Sequence, residues 1–136
     1  MSYFTEIKLV DKLTGTAATI TDAGELMVKP AAAVSSDNSS QTPLADNAAF
    51  TGDSIDTLGY TMAQIAVYAD QASAAGGLVV EVSSDETNWY TKHEFSYQNP
   101  GEENDYPVIL TRRYMRVLYT NGAVAQTVFD LSTVLR

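Results

Sequence analysis

Two runs of alternating side chains, Leu78-Val79-Val80-Glu81-Val82 and Tyr114-Met115-Arg116-Val117-Leu118-Tyr119-Thr120, constrain the fold more than anything else in the chain. A period of two puts every second side chain on one face, which suits a half-buried antiparallel strand and not a helix. Both runs end in turn formers, Ser83-Ser84-Asp85-Glu86-Thr87-Asn88 and Asn121-Gly122. Similar signals place further strands at 48–51, 54–58, 62–68, 89–95, 106–110 and 126–135, joined through 70–77, 83–88, 99–104 and 121–122. No ten-residue segment shows helical spacing with caps, and the Ala72-Ala75 run is short and followed by Gly76-Gly77. Short strands at roughly ten-residue spacing are the pattern of an all-β chain, an antiparallel β-sandwich or jelly roll. Alternation points Ile65, Val67, Leu78, Val80, Val82, Met115, Val117, Tyr119, Phe129 and Leu131 inward, with Glu81, Arg116, Asp130 and Ser132 on the opposite faces.

Residues 1–34 read as a separate N-terminal β arm, with strand candidates at 6–10, 16–21 and 25–28 around the turn Asp22-Ala23-Gly24. Three such short strands bury little by themselves, so the arm calls for a partner surface. Its apolar residues Ile7, Leu9, Val10, Ile20, Leu26 and Val28 are the candidates for that contact. Residues 35–46, rich in Ser, Asn, Asp and Gln, are expected to form an extended linker, and residues 47–136 the sandwich.

The 136 residues contain no cysteine, which removes disulfide scaffolds, thiolate metal sites and cysteine nucleophiles, and fits assembly in a reducing host cytoplasm. No run approaches the roughly 18 to 20 apolar residues of a membrane span, and Met1-Ser2-Tyr3-Phe4 lacks the basic and apolar segments of a signal peptide. No membrane association is expected. Net charge is −9 at pH 7. Residues 35–110 carry twelve acids and one base, Lys92, whereas residues 111–136 carry four arginines against Asp130. An acidic body disfavours nucleic acid, whose binding rests on Lys and Arg at phosphates. The cluster Arg112, Arg113 and Arg116 either neutralises carboxylates of the same molecule or meets the acidic face of a neighbouring subunit.

No reaction centre emerges from the residue pattern. The single histidine, His93, lies in a strand candidate without a Gly-x-Ser-x-Gly elbow or an oxyanion loop, so it reads as a surface residue. The acids Glu81, Glu94, Asp85, Glu86, Glu102 and Glu103 read as solvated, not as a glycosidase pair. Asp53 with Asp56, or Asp85 with Glu86, offer oxygens for calcium but lack motif spacing, so no metal or cofactor is expected. Trp89, where a turn enters a strand, is expected to cap one end of the core. Alternatively, Trp89, Tyr90 and Tyr97 form a stacking platform for glycan.

Three segments carry a resemblance: Thr42-Pro43-Leu44-Ala45-Asp46-Asn47-Ala48-Ala49-Phe50-Thr51-Gly52, Ser83-Ser84-Asp85-Glu86-Thr87-Asn88-Trp89, and Arg113-Tyr114-Met115-Arg116-Val117-Leu118-Tyr119-Thr120-Asn121-Gly122. Together, across residues 40–135, they resemble a module of virion proteins of tailed bacteriophages. Glu86 stands where that module has Gly, and Met115 where it has Phe. The resemblance implies a non-enzymatic jelly-roll unit of a virus particle. Its foremost reading is a capsid decoration (cement) protein on the capsid surface, clipped to the major capsid protein by its arm and associated with copies of itself, by family habit as a homotrimer. The other reading is a tail, baseplate or fibre adhesin that binds host-surface glycan.

Overall fold

A computed structural model describes residues 9–10, 17–20, 26–27 and 32–136. It divides into two compact units, residues 1–31 and 32–136. In the first, β1 (Leu9–Val10), β2 (Ala17–Ile20) and β3 (Leu26–Met27) form an antiparallel sheet in the order β1-β2-β3. Leu9 pairs with Ala18, and Ile20 with Leu26. Ile7 and Val28 lie outside the described residues.

The second unit is the sandwich. Its strands are β4 (Ala33–Val34), β5 (Ala49–Thr51), β6 (Ile55–Asp56), β7 (Met62–Ala69), β8 (Ser73–Ser83), β9 (Tyr90–Phe95), β10 (Asn104–Ile109), β11 (Tyr114–Asn121) and β12 (Phe129–Leu135). One sheet has the order β10-β7-β12-β4, the other β5-β11-β8-β9, with β6 continuing the β5 edge along β11. All pairings are antiparallel. Within this unit the chain passes from sheet to sheet at almost every connection, and only β8 and β9 form a hairpin within one of its two sheets. With β5 and β6 counted as one broken strand, this is an eight-stranded jelly roll.

The alternation sorts the two faces as expected. Ile65, Val67, Leu78, Val80, Val82, Met115, Val117, Tyr119, Phe129 and Leu131 are all buried in one core, joined by Ala63, Ala69, Tyr97, Val108 and Leu135. Aromatic pairs tie the sheets across it. Tyr119 of β11 meets Phe129 of β12, and Phe95 of β9 meets Tyr106 of β10, each pair with centroids 4.8 Å apart. No helix among the described residues is long and apolar enough to cross a membrane.

Two expectations need correction. Residues 35–46 are not a free linker, because the sandwich unit begins at Ala32 and Ser35 and Asn38 are buried within it. Val34 pairs with Val134, Ser35 N–H donates to Thr133 O at 2.8 Å, and Ser40 exchanges both backbone bonds with Leu131. Residues 33–40 therefore run along β12, paired at β4 and again at the Ser40 bridge, with a 3₁₀ turn at Ser36–Asn38 between them. Of residues 70–77, expected as a connection, 73–77 instead supply the start of β8. The glycine pair that reads as a breaker sits in a bulge, where pairing with β11 jumps between Tyr119 and Asn121.

Candidate interaction surface

The arginine cluster and Trp89 meet where the turn between β8 and β9 lies beside β11. Asp85 builds that turn. Its carboxylate accepts from the Asn88 N–H at 2.8 Å, the Asn88 side-chain amide at 2.8 Å, the Thr87 N–H at 3.0 Å and the Ser83 hydroxyl at 3.0 Å. These donors, led by the Asn88 backbone, hold its pKa far below the ordinary carboxylate value. Glu86 takes a left-handed backbone with φ of 59°, which explains why glycine suits this position in the phage module. Its side chain accepts a hydrogen bond from the Ser54 hydroxyl at 2.7 Å.

Each arginine finds a partner within the chain. Cross-strand register sets Arg116 opposite Glu81, and their side chains pair at 2.6 Å in a half-buried site. The Arg116 guanidinium lies 4.3 Å from the centre of the Trp89 ring, while the indole N–H donates to Glu86 O at 3.2 Å. Arg113 pairs with Asp56 at 2.9 Å and lies over Tyr114. That carboxylate is held below its usual pKa chiefly by its hydrogen bond to Arg113. Both groups are exposed, so solvent screening leaves the pair little weight in stability. Arg112 donates to the Ser84 hydroxyl at 2.9 Å and covers the Tyr90 ring at 4.8 Å. Arg113 and Arg116 thus each have a carboxylate partner within the chain. The partners Asp56 and Glu81 were hidden in the sequence because they depend on strand register.

Trp89 does not cap the core. It precedes β9, is only partly buried, and packs by its face on Arg116 outside the hydrophobic cluster. Trp89→Ala is therefore expected to cost about 1–2 kcal/mol, from one cation–π contact and one hydrogen bond, instead of the roughly 3–5 kcal/mol of a core aromatic. A urea titration beside wild type measures the difference.

The proposed glycan platform loses a member for a related reason. Tyr97 is fully buried, its hydroxyl accepting from Ala69 N–H at 3.1 Å and donating to Glu102 O at 2.7 Å. It anchors the 97–102 loop and cannot stack on a sugar alongside Trp89 and the half-exposed Tyr90. His93 stacks on Phe95 with centroids 5.5 Å apart. Among the described residues, no group of three or more His, Cys, Asp or Glu side chains is placed to hold a metal ion. The calcium candidates are spoken for, since Asp56 faces Arg113 and Asp85 faces N–H donors.

Sequence reasoning missed the strut that holds these elements together. Asn38 is fully buried; its Oδ1 accepts from Val117 N–H at 2.7 Å and its Nδ2 donates to Asp53 O at 2.9 Å. Its carbonyl accepts from the Thr133 hydroxyl at 2.7 Å. One residue thereby joins β11 in one sheet to β12 in the other.

Fold and surface together define an all-β jelly-roll module bearing a charge-compensated patch of arginine and aromatic faces, residue types enriched at the centres of protein interfaces. The chain belongs to the family of the N-terminal domain of the uncharacterised protein YqxG, whose family model matches residues 21–136. Among solved structures it is similar to the crystal structure of PBSX exported protein XepA, with TM-score 0.65 and 21% identity over 99% of this chain and 50% of that one. The chain thus spans half the length of that neighbour. No curated protein matches the sequence.

Proposed function

We propose that this chain is a non-enzymatic structural protein of a tailed-phage particle, with capsid decoration as its leading role. The observation that carries the reading is where the phage-like segments fall in the fold. Gly52 packs against the Asn38 strut, Asp85 and Glu86 shape the β8–β9 turn, and Asn121 pins the loops beside β11. The resemblance therefore extends to the residues on which this jelly roll depends, beyond a shared apolar pattern. The fold likeness to an exported PBSX protein supports an extracellular or particle-borne setting. Burial of Tyr97 and coverage of Trp89 by Arg116 weigh against the adhesin alternative.

In this reading the N-terminal unit engages the major capsid protein, and exposed arginines 112 and 113, with Arg116 behind them, face a further copy of the chain. The division between the units falls after Ala31, and Val34 already pairs with β12, so the informative truncation removes residues 1–31. The truncated protein should keep wild-type β circular dichroism and lose co-sedimentation with undecorated particles. Undiminished co-sedimentation would reject the clip.

A further inference from the structure

We propose that Asn121-Gly122 is a fold-gated deamidation site, silent in the native sandwich and reactive while β11 is open, which makes unfolding one-way for the chains that react before they reclose. The fold itself requires this dipeptide. Asn121 is fully buried at the end of β11, and its Nδ2 donates to Leu44 O at 3.2 Å, Ala45 O at 2.9 Å and Val124 O at 2.8 Å. Only a side-chain amide supplies those donors together with an acceptor, and Oδ1 takes the Gly122 N–H at 2.9 Å. Glycine at 122 is imposed by a close approach, because an added Cβ would stand 2.7 Å from Ala72 O. The chain therefore keeps the pairing of an asparagine with an unhindered following amide, the sequence most prone to cyclise.

The reaction is intramolecular. The Gly122 backbone nitrogen gives up its proton and attacks Asn121 Cγ. The new C–N bond closes a five-membered succinimide, and the Cγ–Nδ2 bond breaks with loss of ammonia. Water then opens either imide C–N bond, leaving aspartate or isoaspartate. One water enters, one ammonia leaves, and no oxidant or reductant takes part.

The native contacts block the first step. The Gly122 N–H is held by Ala72 O at 3.1 Å as well as by Oδ1, Gly122 O accepts from Asn47 N–H at 2.8 Å, and Asn121 N–H is bound to Ala48 O at 2.9 Å. Swinging Cγ onto the Gly122 nitrogen requires all of these to break along with the three Nδ2 bonds. The product is also incompatible with the site. An aspartate has no donors for the three carbonyls and sets a buried negative charge among their oxygens, while isoaspartate lengthens the backbone beside the β11 bulge. Chains modified while open do not return, an irreversibility by chemical change of the unfolded state.

The test compares the full chain held at mildly alkaline pH and 37 °C in buffer and in urea, followed by trypsin digestion and mass spectrometry. Cleavage after Arg116 isolates residues 117–136, in which Asn121 is the only asparagine. Amide-to-acid conversion of this peptide should be more than about tenfold faster in urea, since native reaction waits on opening. The fraction that refolds after dilution should fall in step with conversion. Equal rates in buffer and in urea would overturn the gating. Recovery of deamidated chains with the wild-type urea midpoint, or an Asn121→Asp variant with that midpoint, would overturn the one-way consequence.

Discussion

Replacing Asn38 by Leu is expected to destabilise the sandwich by about 3–5 kcal/mol, although Asn38 lies in a polar stretch with no strand pattern. The loss leaves Val117 N–H and Asp53 O without the partners they hold at 2.7 and 2.9 Å, and each buried polar group left unpaired costs roughly 1–3 kcal/mol. Leucine cannot accept the Val117 proton, and water reaches the site only if the 35–40 segment peels from β12. Gln41→Leu is the matched control, because Gln41 is exposed and, among the described residues, its side chain bonds the Asp130 side chain at 3.1 Å. Surface changes of that kind stay within about 0.5 kcal/mol. Urea midpoints of the two variants that coincide would refute the strut.

Gly52→Ala should cost about 2–3 kcal/mol by overpacking. An added Cβ would overlap Asn38 Oδ1 and stand 3.0 Å from Asp37 O. Asn38 cannot retreat, since its amide is tied to Asp53, Ser35 and Val117. Gly52 is itself buried and donates its N–H to Val117 O at 2.8 Å, which keeps the backbone in place. The same geometry demands non-additivity. In Asn38→Ala/Gly52→Ala the new methyl occupies space that the amide vacates, so the double variant should be more stable than the sum of the single effects implies. Strict additivity in the four urea titrations would mean that the two residues do not touch.

Much of the core was legible because burial and period coincide. Residues such as Ile65, Val80, Met115 and Leu131 sit in long strands whose alternate positions meet water and core in turn, so local pattern and tertiary environment agree. The order of the strands was not legible from alternation, which says which face is apolar and nothing about neighbours. The jelly-roll arrangement came through the resemblance. Residues 33–40 escaped because two paired residues, a 3₁₀ turn and a single bridge have no period to detect. The partners of Asn38 lie 15 and 79 residues away, and those contacts exist only after folding. Trp89 and Tyr97 were exchanged for a similar reason. Both border polar turn-like residues, Trp89 after them and Tyr97 before them, yet the loop from Tyr97 to Glu102 folds back and buries the tyrosine, while the tryptophan finds a guanidinium outside the core.

The arginine patch was legible as composition and not as contacts. Arg116 and Glu81 lie on one outer face by alternation, but only the pairing register of β8 with β11 sets them opposite one another. The acidic body and the late arginines are thus partly reconciled inside the molecule, and Arg112, whose described contacts are a hydroxyl and a ring, retains the charge most available to a neighbour.

The role in a phage particle is tested most directly by quantitative mass spectrometry of purified particles, separated into heads and tails, with peptides of this chain counted against the major capsid protein. A decoration protein should co-purify with heads in a fixed ratio to the capsid subunit, at hundreds of copies per particle. Absence from intact particles would contradict the account, and a handful of copies confined to tails would replace decoration with the adhesin reading.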